Sequence, residues 1–379
     1  RMVDVSLLRA INFCAPLFYT DQNEFSLDKV ATYFYKEDVY RYLNKDLMHK
    51  TSWSSHLTHD QMMYAATDVI ILWDIYELLN SRKVFEDINY SLDIQTLKYC
   101  FDFQNNGMPL LGYAIETAIE EIDEKVKSYD LPINVNSPKQ SSAYINASNS
   151  GDLTLATLAL SGSKEAANVR DVRGLLKLKS FMTKFLTTHR KWRIYGKFAL
   201  TPRSGRLSCV DQNLQQIPRK LKKLFGFHKT DGKVLVYSDF AQIQLRAACI
   251  VTAEKRMENL FRMGEDLHAF TAKMLFGDEF TKEHRQIAKT ANFGLLFGAG
   301  DATFYHILVK DAGLMIPMHE VTKIRGKWKN LWSSIRRWQS KGATDYNKNV
   351  QWSTPLGRKY TAKIFTDQLA NQIQGFEAE

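Results

Sequence analysis

Arg285, Lys289, Phe293 and Phe297 stand at four-residue intervals in the stretch Arg285-Gln-Ile-Ala-Lys-Thr-Ala-Asn-Phe-Gly-Leu-Leu-Phe-Gly298. On an α-helix, residues four apart lie nearly above one another. One face would then carry two cations near its N-terminal end and two rings one and two turns further on. Cations there oppose the helix dipole unless an anion lies between them. A triphosphate is such an anion, and the rings beyond it could meet a sugar and a base. A surface helix with two solvated cations and two core aromatics would show the same spacing, because i,i+4 cation pairs are common on surfaces.

Other residues could do chemistry. Gly232-Lys-Val-Leu-Val-Tyr-Ser238 is a short apolar run preceded by turn residues, which predicts a buried strand with Asp239 at its C-terminal end. A carboxylate there is costly unless it is paired or binds a metal; it could also cap the helix that follows. His268, in Gly264-Glu-Asp-Leu-His268, is a lone histidine, a type that is usually structural. Tyr64 and Asp68 are four apart and share a helix face, a spacing that a surface pair would also show.

The elements that must position these residues are mostly helices. Thr58 and Gln61 form a capping box for a helix running to about Leu79. Val135-Asn-Ser-Pro-Lys-Gln140 is a turn with an N-cap Ser before Pro at the first helical position. Asn146 to Ser163 is rich in Asn, Ser, Gly and Thr and predicts an exposed loop. A long basic helix follows, from about Val169 to Lys191, then strands, then mostly helix from Gln242 to Leu356. Thr354-Pro-Leu-Gly-Arg358 is a turn into the last segment.

The 379 residues are enough for two or three cored domains, and at 45% hydrophobic and 24% charged they are typical of a soluble globular protein. Lys and Arg number 51 against 41 Asp and Glu, a formal charge of +10 that favours a polyanionic partner without identifying one. The four cysteines, Cys14, Cys100, Cys209 and Cys249, are scattered and form no CxxC, so they read as reduced, buried thiols rather than a zinc site or disulfide framework. There is no apolar run of 18 residues and no signal peptide, so the expectation is a protein that is not secreted and has no membrane partner.

Taken together, the motifs resemble those of family A (polymerase I-like) DNA polymerases. The Arg285 to Gly298 stretch is similar to the family's fingers motif, R-x3-K-x3-F-G-x2-Y-G. Asp239-Phe-Ala-Gln-Ile-Gln-Leu-Arg246 resembles its D-Y/F-S-Q-I-E-L-R. Thr201-Pro-Arg-Ser-Gly-Arg-Leu-Ser-Cys-Val-Asp-Gln-Asn-Leu-Gln-Gln-Ile-Pro218 resembles its primer–template segment, Gln368 to Gly375 its N-x-P-x-Q-G, and Val135 to Gln140 its thumb N-S-P-K-Q. The resemblance implies Asp239 as catalytic residue and ligand of two Mg2+ ions, with Mn2+ as an alternative. It places His268, Arg285, Lys289, Phe293, Phe297, Gln242 and Gln244 on the dNTP. It places Arg206, Asn213, Gln215 and Gln374 in the minor groove, where donors can read acceptors common to all base pairs. Ala370 stands where the family has asparagine, and Asn371 beside it either compensates or does not.

Two departures form a pair. Gln244 replaces the family's glutamate that blocks a ribose 2′-hydroxyl, and Phe297 replaces the tyrosine that bonds to it. A glutamate without that tyrosine would lose a charge-assisted hydrogen bond, so the changes are compensatory. Gln is nearly isosteric with Glu, so the block against ribonucleotides should persist. Phe293 has no hydroxyl to replace a missing 3′-OH, which implies discrimination against dideoxynucleotides.

Leu57-Thr-His-Asp-Gln-Met-Met-Tyr-Ala-Ala-Thr-Asp-Val69 resembles the third motif of 3′–5′ proofreading exonucleases, with Asp68 on metal and Tyr64 orienting water. That domain's first two motifs are not found. The implied fold is α+β and helix-rich: a right-hand polymerase of thumb, palm and fingers, preceded by the C-terminal part of a ribonuclease H-like exonuclease domain. The implied divisions are 1–82 partial exonuclease, 83–200 thumb and connecting helices, 201–250 palm, 251–350 fingers and 351–379 a return to palm. The implied function, for the intact protein, is template-directed addition of dNTPs to a primer 3′-OH with proofreading, in replication or repair, by a monomer working with primer–template DNA, dNTPs and accessory proteins. A bacterial or phage-infected cytoplasm or an organelle would fit. The family's His-Asp-Glu turn is expected after the Gln374 helix; without it, residues 1–379 are expected to bind primer–template and dNTP weakly and not to extend primers. Two competing readings are a non-catalytic polymerase-like DNA-binding protein and a chain that is chiefly an exonuclease. The joint presence of Asp239, Arg285 and Lys289 speaks against the first, and the missing exonuclease carboxylates against the second.

Overall fold

The computed structural model describes residues 59–378, apart from 82, 84, 85, 201, 203, 361 and 363, together with a few scattered positions before 59. Most of the 1–82 segment, with Cys14, lies outside the described residues. Helix α1 (His59–Ser81) begins where the sequence says it should. The Gln61 N–H donates to Thr58 Oγ1 at 3.2 Å and the Thr58 N–H donates to Gln61 Oε1 at 2.9 Å, so two orphan donors of the first turn are satisfied reciprocally. Helix α2 (Ile88–Asn106) is capped by Asp87 and ends at Gly107, whose φ of 61° suits only a residue without Cβ strain.

After α3 (Gly112–Ser128) comes the short helix α4 (Pro138–Tyr144), with Ser137 accepting from the Gln140 N–H and Pro138 in the first turn. The stretch expected as a loop at 146–163 instead holds helix α5 (Asp152–Leu160). Its flanks are turn-rich, but Leu155 and Ala156 are fully buried, and Leu155 packs in one cluster with Val169 and Val172 of α6 (Lys164–Thr188). Packing against a neighbour decides what composition alone could not. Helix α6 is about 37 Å long at 1.5 Å per residue and spans two cores. Its first half joins that cluster, and Met182 and Phe185 join a second one with Leu110, Ile115, Ile194, Leu221 and Leu224.

The described strands form three antiparallel ribbons: β1 (Met108–Pro109) with β2 (Arg193–Ile194), β3 (Lys197–Ala199) with β4 (Ser208–Val210), and β5 (Trp352–Ser353) with β6 (Lys359–Tyr360). The third ribbon turns at the predicted Thr354–Arg358 segment. The expected buried strand at 232–238 is not there. Val234, Val236 and Tyr237 are 81%, 86% and 76% exposed, and no described strand pairs with them. A β-strand is stable only through neighbours, so an apolar run without them forms none.

From residue 243 the chain is helical, as read: α7 (Ile243–Thr252), α8 (Lys255–Arg262), α9 (Leu267–Phe276), α10 (Lys282–Gly294), α11 (Asp301–Ile307), α12 (Met318–Leu331), α13 (Ser333–Asn347) and α14 (Phe365–Ala378). These share one large core in which Trp328, Trp332 and Phe304 are fully buried. No helix among the described residues is long and apolar enough to cross a membrane.

Candidate nucleotide and nucleic-acid site

Helix α10 carries the opening pattern. Thr281 caps it, accepting from the His284 N–H at 3.2 Å while His284 Nδ1 accepts from the Thr281 N–H at 3.2 Å. Arg285 is half-buried and Lys289 exposed on one face, with Phe293 one turn on. The expectation that Phe297 continues this helical face needs correction. The helix ends at Gly294, and Phe297 lies in the tightened turn after it, where the Gly298 N–H reaches Leu295 O at 3.1 Å. A φ of 82° at Gly298 makes that turn. A Cβ there would stand 3.4 Å from Phe365 and Leu369, so the turn sits directly on α14.

The anion that Arg285 requires is supplied by the chain itself. Arg285 Nε and Nη2 donate to Asp266 Oδ2 at 2.9 and 2.6 Å. Asp266 also caps α9, its Oδ1 accepting from the His268 and Ala269 N–H groups. Burial works to raise the Asp266 carboxyl, but the Arg285 guanidinium and those backbone donors outweigh it and hold it below the usual carboxylate range. Lys289 makes no ion pair with any described residue. His268, 4% exposed, lies 5.8 Å from the Phe293 ring centre to centre. Burial pushes its pKa down to about 4, opposed by Asp266 and aided by Arg285 and Lys289. So Arg285, Lys289, His268 and Phe293 form one cluster across α9 and α10.

Sequence reading missed Asp266 and the fully buried Asn292, which joins His268, Thr271 and Trp328. The Asp266 role had a signal, an Asp just ahead of a helix; the contact from Trp328, 36 residues away, had none.

Asp239 lies in the exposed 233–240 segment, with Tyr237 Oη donating to its Oδ2 at 3.4 Å. Gln242 begins α7 in the left-handed region, φ 55°, and its Oε1 is buried without a hydrogen-bond partner. Gln244 follows, half-buried on α7, and Leu245 of that helix packs in the same core as Ile287 and Leu295. As a hard oxygen donor, Asp239 fits one contact to a divalent cation, since Mg2+ is held by one or two carboxylates plus phosphates and water. Among the described residues no three His, Cys, Asp or Glu side chains gather as metal ligands, so these residues do not by themselves build a two-ion site.

The residues expected at the minor groove come from two elements that meet. Gln215 Nε2 donates to Leu207 O at 3.0 Å, and Asn213 Oδ1 accepts from the Gln215 N–H at 3.2 Å, fixing the loop around Arg206. Arg206 is ion-paired with Glu377 of α14, the helix that carries Gln374. A Cβ on Gly375 would stand 3.4 Å from Ser204 O and 2.7 Å from Thr354 Cγ2, so only glycine lets α14 approach this loop. Asn371 is half-buried on the same helix. Tyr64 and Asp68 sit on one face of α1, and Tyr64 meets Trp53 edge-on at 6.2 Å.

Residues 111–378 match the model of DNA polymerase family A. The chain belongs to that family. It is 27% identical over 380 residues to DNA polymerase I of Aquifex aeolicus, covering 88% of this chain and 66% of that protein. Over shorter stretches it is 37% identical to DNA polymerase I of Lactococcus lactis, across 26% of this chain and 12% of that one, and 36% identical to the Helicobacter pylori enzyme, across 44% and 20%. The chain thus spans at most about two thirds of these relatives' length. Its fold is that of the POL domain of Pol1 from M. smegmatis, solved in complex with DNA primer-template and dNTP: TM-score 0.76 at 19% identity, covering 98% of this chain and 69% of that one. The α+β, helix-rich polymerase fold read from the family A motifs is therefore the fold of this chain.

Proposed function

We propose that this polymerase family member adds dNTPs to a primer 3′-OH under the direction of a template. The observation that carries the reading is the α9–α10 cluster, in which two cations, a neutral imidazole and an aromatic ring line one site. Arg285 and Lys289 would take the triphosphate, with Asp266 released from Arg285 as phosphate oxygens replace its carboxylate. His268 would donate a hydrogen bond to the same group, and Phe293 and Phe297 would stack against sugar and base. Gln244 and Gln242, at the start of α7, would bound the sugar. Arg206, Asn213, Gln215 and Gln374 would hold the primer–template minor groove, Arg206 exchanging Glu377 for DNA.

Asp239 would hold a divalent ion, and a second carboxylate is needed for the two Mg2+ ions of nucleotidyl transfer. Such ions, when bound, activate the primer hydroxyl and stabilise the leaving pyrophosphate. We read 83–200 as thumb and connecting helices, 201–250 and 351–379 as palm and 251–350 as fingers. Tyr64 and Asp68 are read as part of a proofreading exonuclease, and the setting as cytoplasmic or organellar, with the protein a monomer.

Titration of a primer–template complex with a correct and an incorrect dNTP tests this. Lys289→Ala should weaken correct dNTP about 10- to 100-fold, the worth of one charge-assisted hydrogen bond, while leaving DNA affinity unchanged. Arg285→Ala should do less, since it also removes the partner that Asp266 must surrender. Correct and incorrect dNTP binding alike, with Lys289→Ala silent, would leave a non-catalytic DNA-binding protein, the reading that the exposed 233–240 segment favours.

A further inference from the structure

Asn292 is completely buried, and three of its four hydrogen-bonding positions can be assigned one by one. Trp328 Nε1, which can only donate, lies 2.8 Å from Oδ1. The amide oxygen must therefore face Trp328, because a flipped amide would set two donors against each other. Nδ2 then faces Thr271 Oγ1 at 3.0 Å and His268 Nδ1 at 3.1 Å. Thr271 spends its own proton on Leu267 O at 2.7 Å, so it accepts from Asn292. The remaining Nδ2 hydrogen points at His268, and Nδ1 must accept it. A neutral imidazole with an accepting Nδ1 carries its proton on Nε2.

We propose that Asn292, anchored by Trp328, is a positioning residue that fixes the His268 tautomer, so that the ring meets the triphosphate as a neutral Nε2–H donor rather than as a cation. This deepens the nucleotide-site reading and rests on it for the identity of the ligand. The chain of contacts spans three helices: His268 and Thr271 from α9, Asn292 from α10 and Trp328 from α12. Protonation at Nδ1 would turn that nitrogen into a donor facing the Asn292 amide. The charged groups around the ring are Asp266 from α9 and Arg285 and Lys289 from α10; α12 contributes the uncharged Trp328. The opposite tautomer would turn a lone pair toward phosphate oxygens and repel them.

The tautomer is read directly by long-range 1H–15N spectra of histidine-labelled, nucleotide-free protein. Native His268 should show a protonated Nε2 and an unprotonated Nδ1 from about pH 6 to 8, with no titration step near its ordinary value of about 6.5. Asn292→Asp keeps the acceptor for Trp328 and places a second oxygen against Nδ1. His268 should then be protonated at Nδ1 and titrate near neutrality, and dNTP affinity should fall about tenfold per pH unit above that point. Trp328→Phe removes the anchoring donor while keeping an aromatic ring in the core, at the cost of some buried volume, and should leave His268 in a mixture of tautomers even if Asn292→Asp does not fold. A proton on Nδ1 in the native protein, or a single unchanged tautomer in Trp328→Phe, would overturn the assignment. A correct tautomer with dNTP affinity unmoved by His268→Phe would instead overturn the nucleotide reading on which the donor role depends.

Discussion

His268 links burial to acid stability. In the unfolded chain it would protonate near 6.5, and in the folded protein only at about 4. Between those values the unfolded state binds a proton that the native state refuses, so stability falls as pH drops through the window. The loss amounts to about 3 kcal/mol at its acid end. His268→Gln, which cannot titrate, should lose less stability than the native protein between pH 7 and 4.5, read as the shift in urea midpoint. Equal shifts in the two proteins would show that the histidine protonates freely. At this scale the sequence was informative wherever a residue's role is local. The Arg285–Lys289 spacing predicts a shared face, and the Asp266 cap, though missed, lies within three residues of the N–H groups that donate to it. It was silent on Asn292, whose partners come from two other helices, and on the Arg285–Asp266 pair, which spans 19 residues.

The ribbon of β5 and β6 is held to helix α2 by one buried ion pair. Arg358 Nη1 and Nη2 donate to the two Asp93 oxygens at 3.0 and 2.8 Å, with both side chains under a tenth exposed. Asn89 Nδ2 adds a bond to Leu356 O at 2.9 Å. Breaking such a pair from one side leaves a buried charge without its counter-ion. Asp93→Ala should therefore cost about 3–5 kcal/mol, and the double change Asp93→Leu, Arg358→Met should recover most of it. If the double variant were as unstable as the single one, the ribbon would depend on the pair's geometry and not on its charge balance. A pair 265 residues apart is invisible to periodicity, whereas the caps at Thr58 and Ser137 were legible because both partners lie within one turn. The 232–238 run was misread for the complementary reason. Its apolar, β-branched composition has the character of a strand, but only neighbouring strands could make it one. Helix α5 was missed because Leu155 and Ala156 gain their burial from the fold around them, including helix α6.

The charge of +10 favours a polyanionic partner for the whole molecule, and helix α6 offers a groove in which two lysines stand together. One face of α6, with Asn136 from the turn before α4, lines a groove of about 510 Å³ furnished by Lys179, Ser180, Thr183, Lys184 and Thr187. Hydroxyls and ammonium groups at helical spacing suit the phosphates of a duplex, which are met without regard to sequence. The two lysines are not equivalent. Lys179 is already neutralised by Asp123 at 2.6 Å. Lys184 donates to Asp211 O at 3.0 Å and forms no ion pair with a described residue. Each phosphate contact releases condensed counterions and contributes about −0.9 to the slope of log affinity against log salt. Primer–template binding, followed by anisotropy from about 50 to 200 mM salt, should therefore steepen with the number of such contacts. Lys184→Ala should make the slope shallower by about 0.9, whereas Lys179→Ala should change it by less because Asp123 competes for the same ammonium. Identical slopes for the native protein and Lys184→Ala would take this groove out of the DNA path and leave the phosphate contacts to the Arg206 loop and α14.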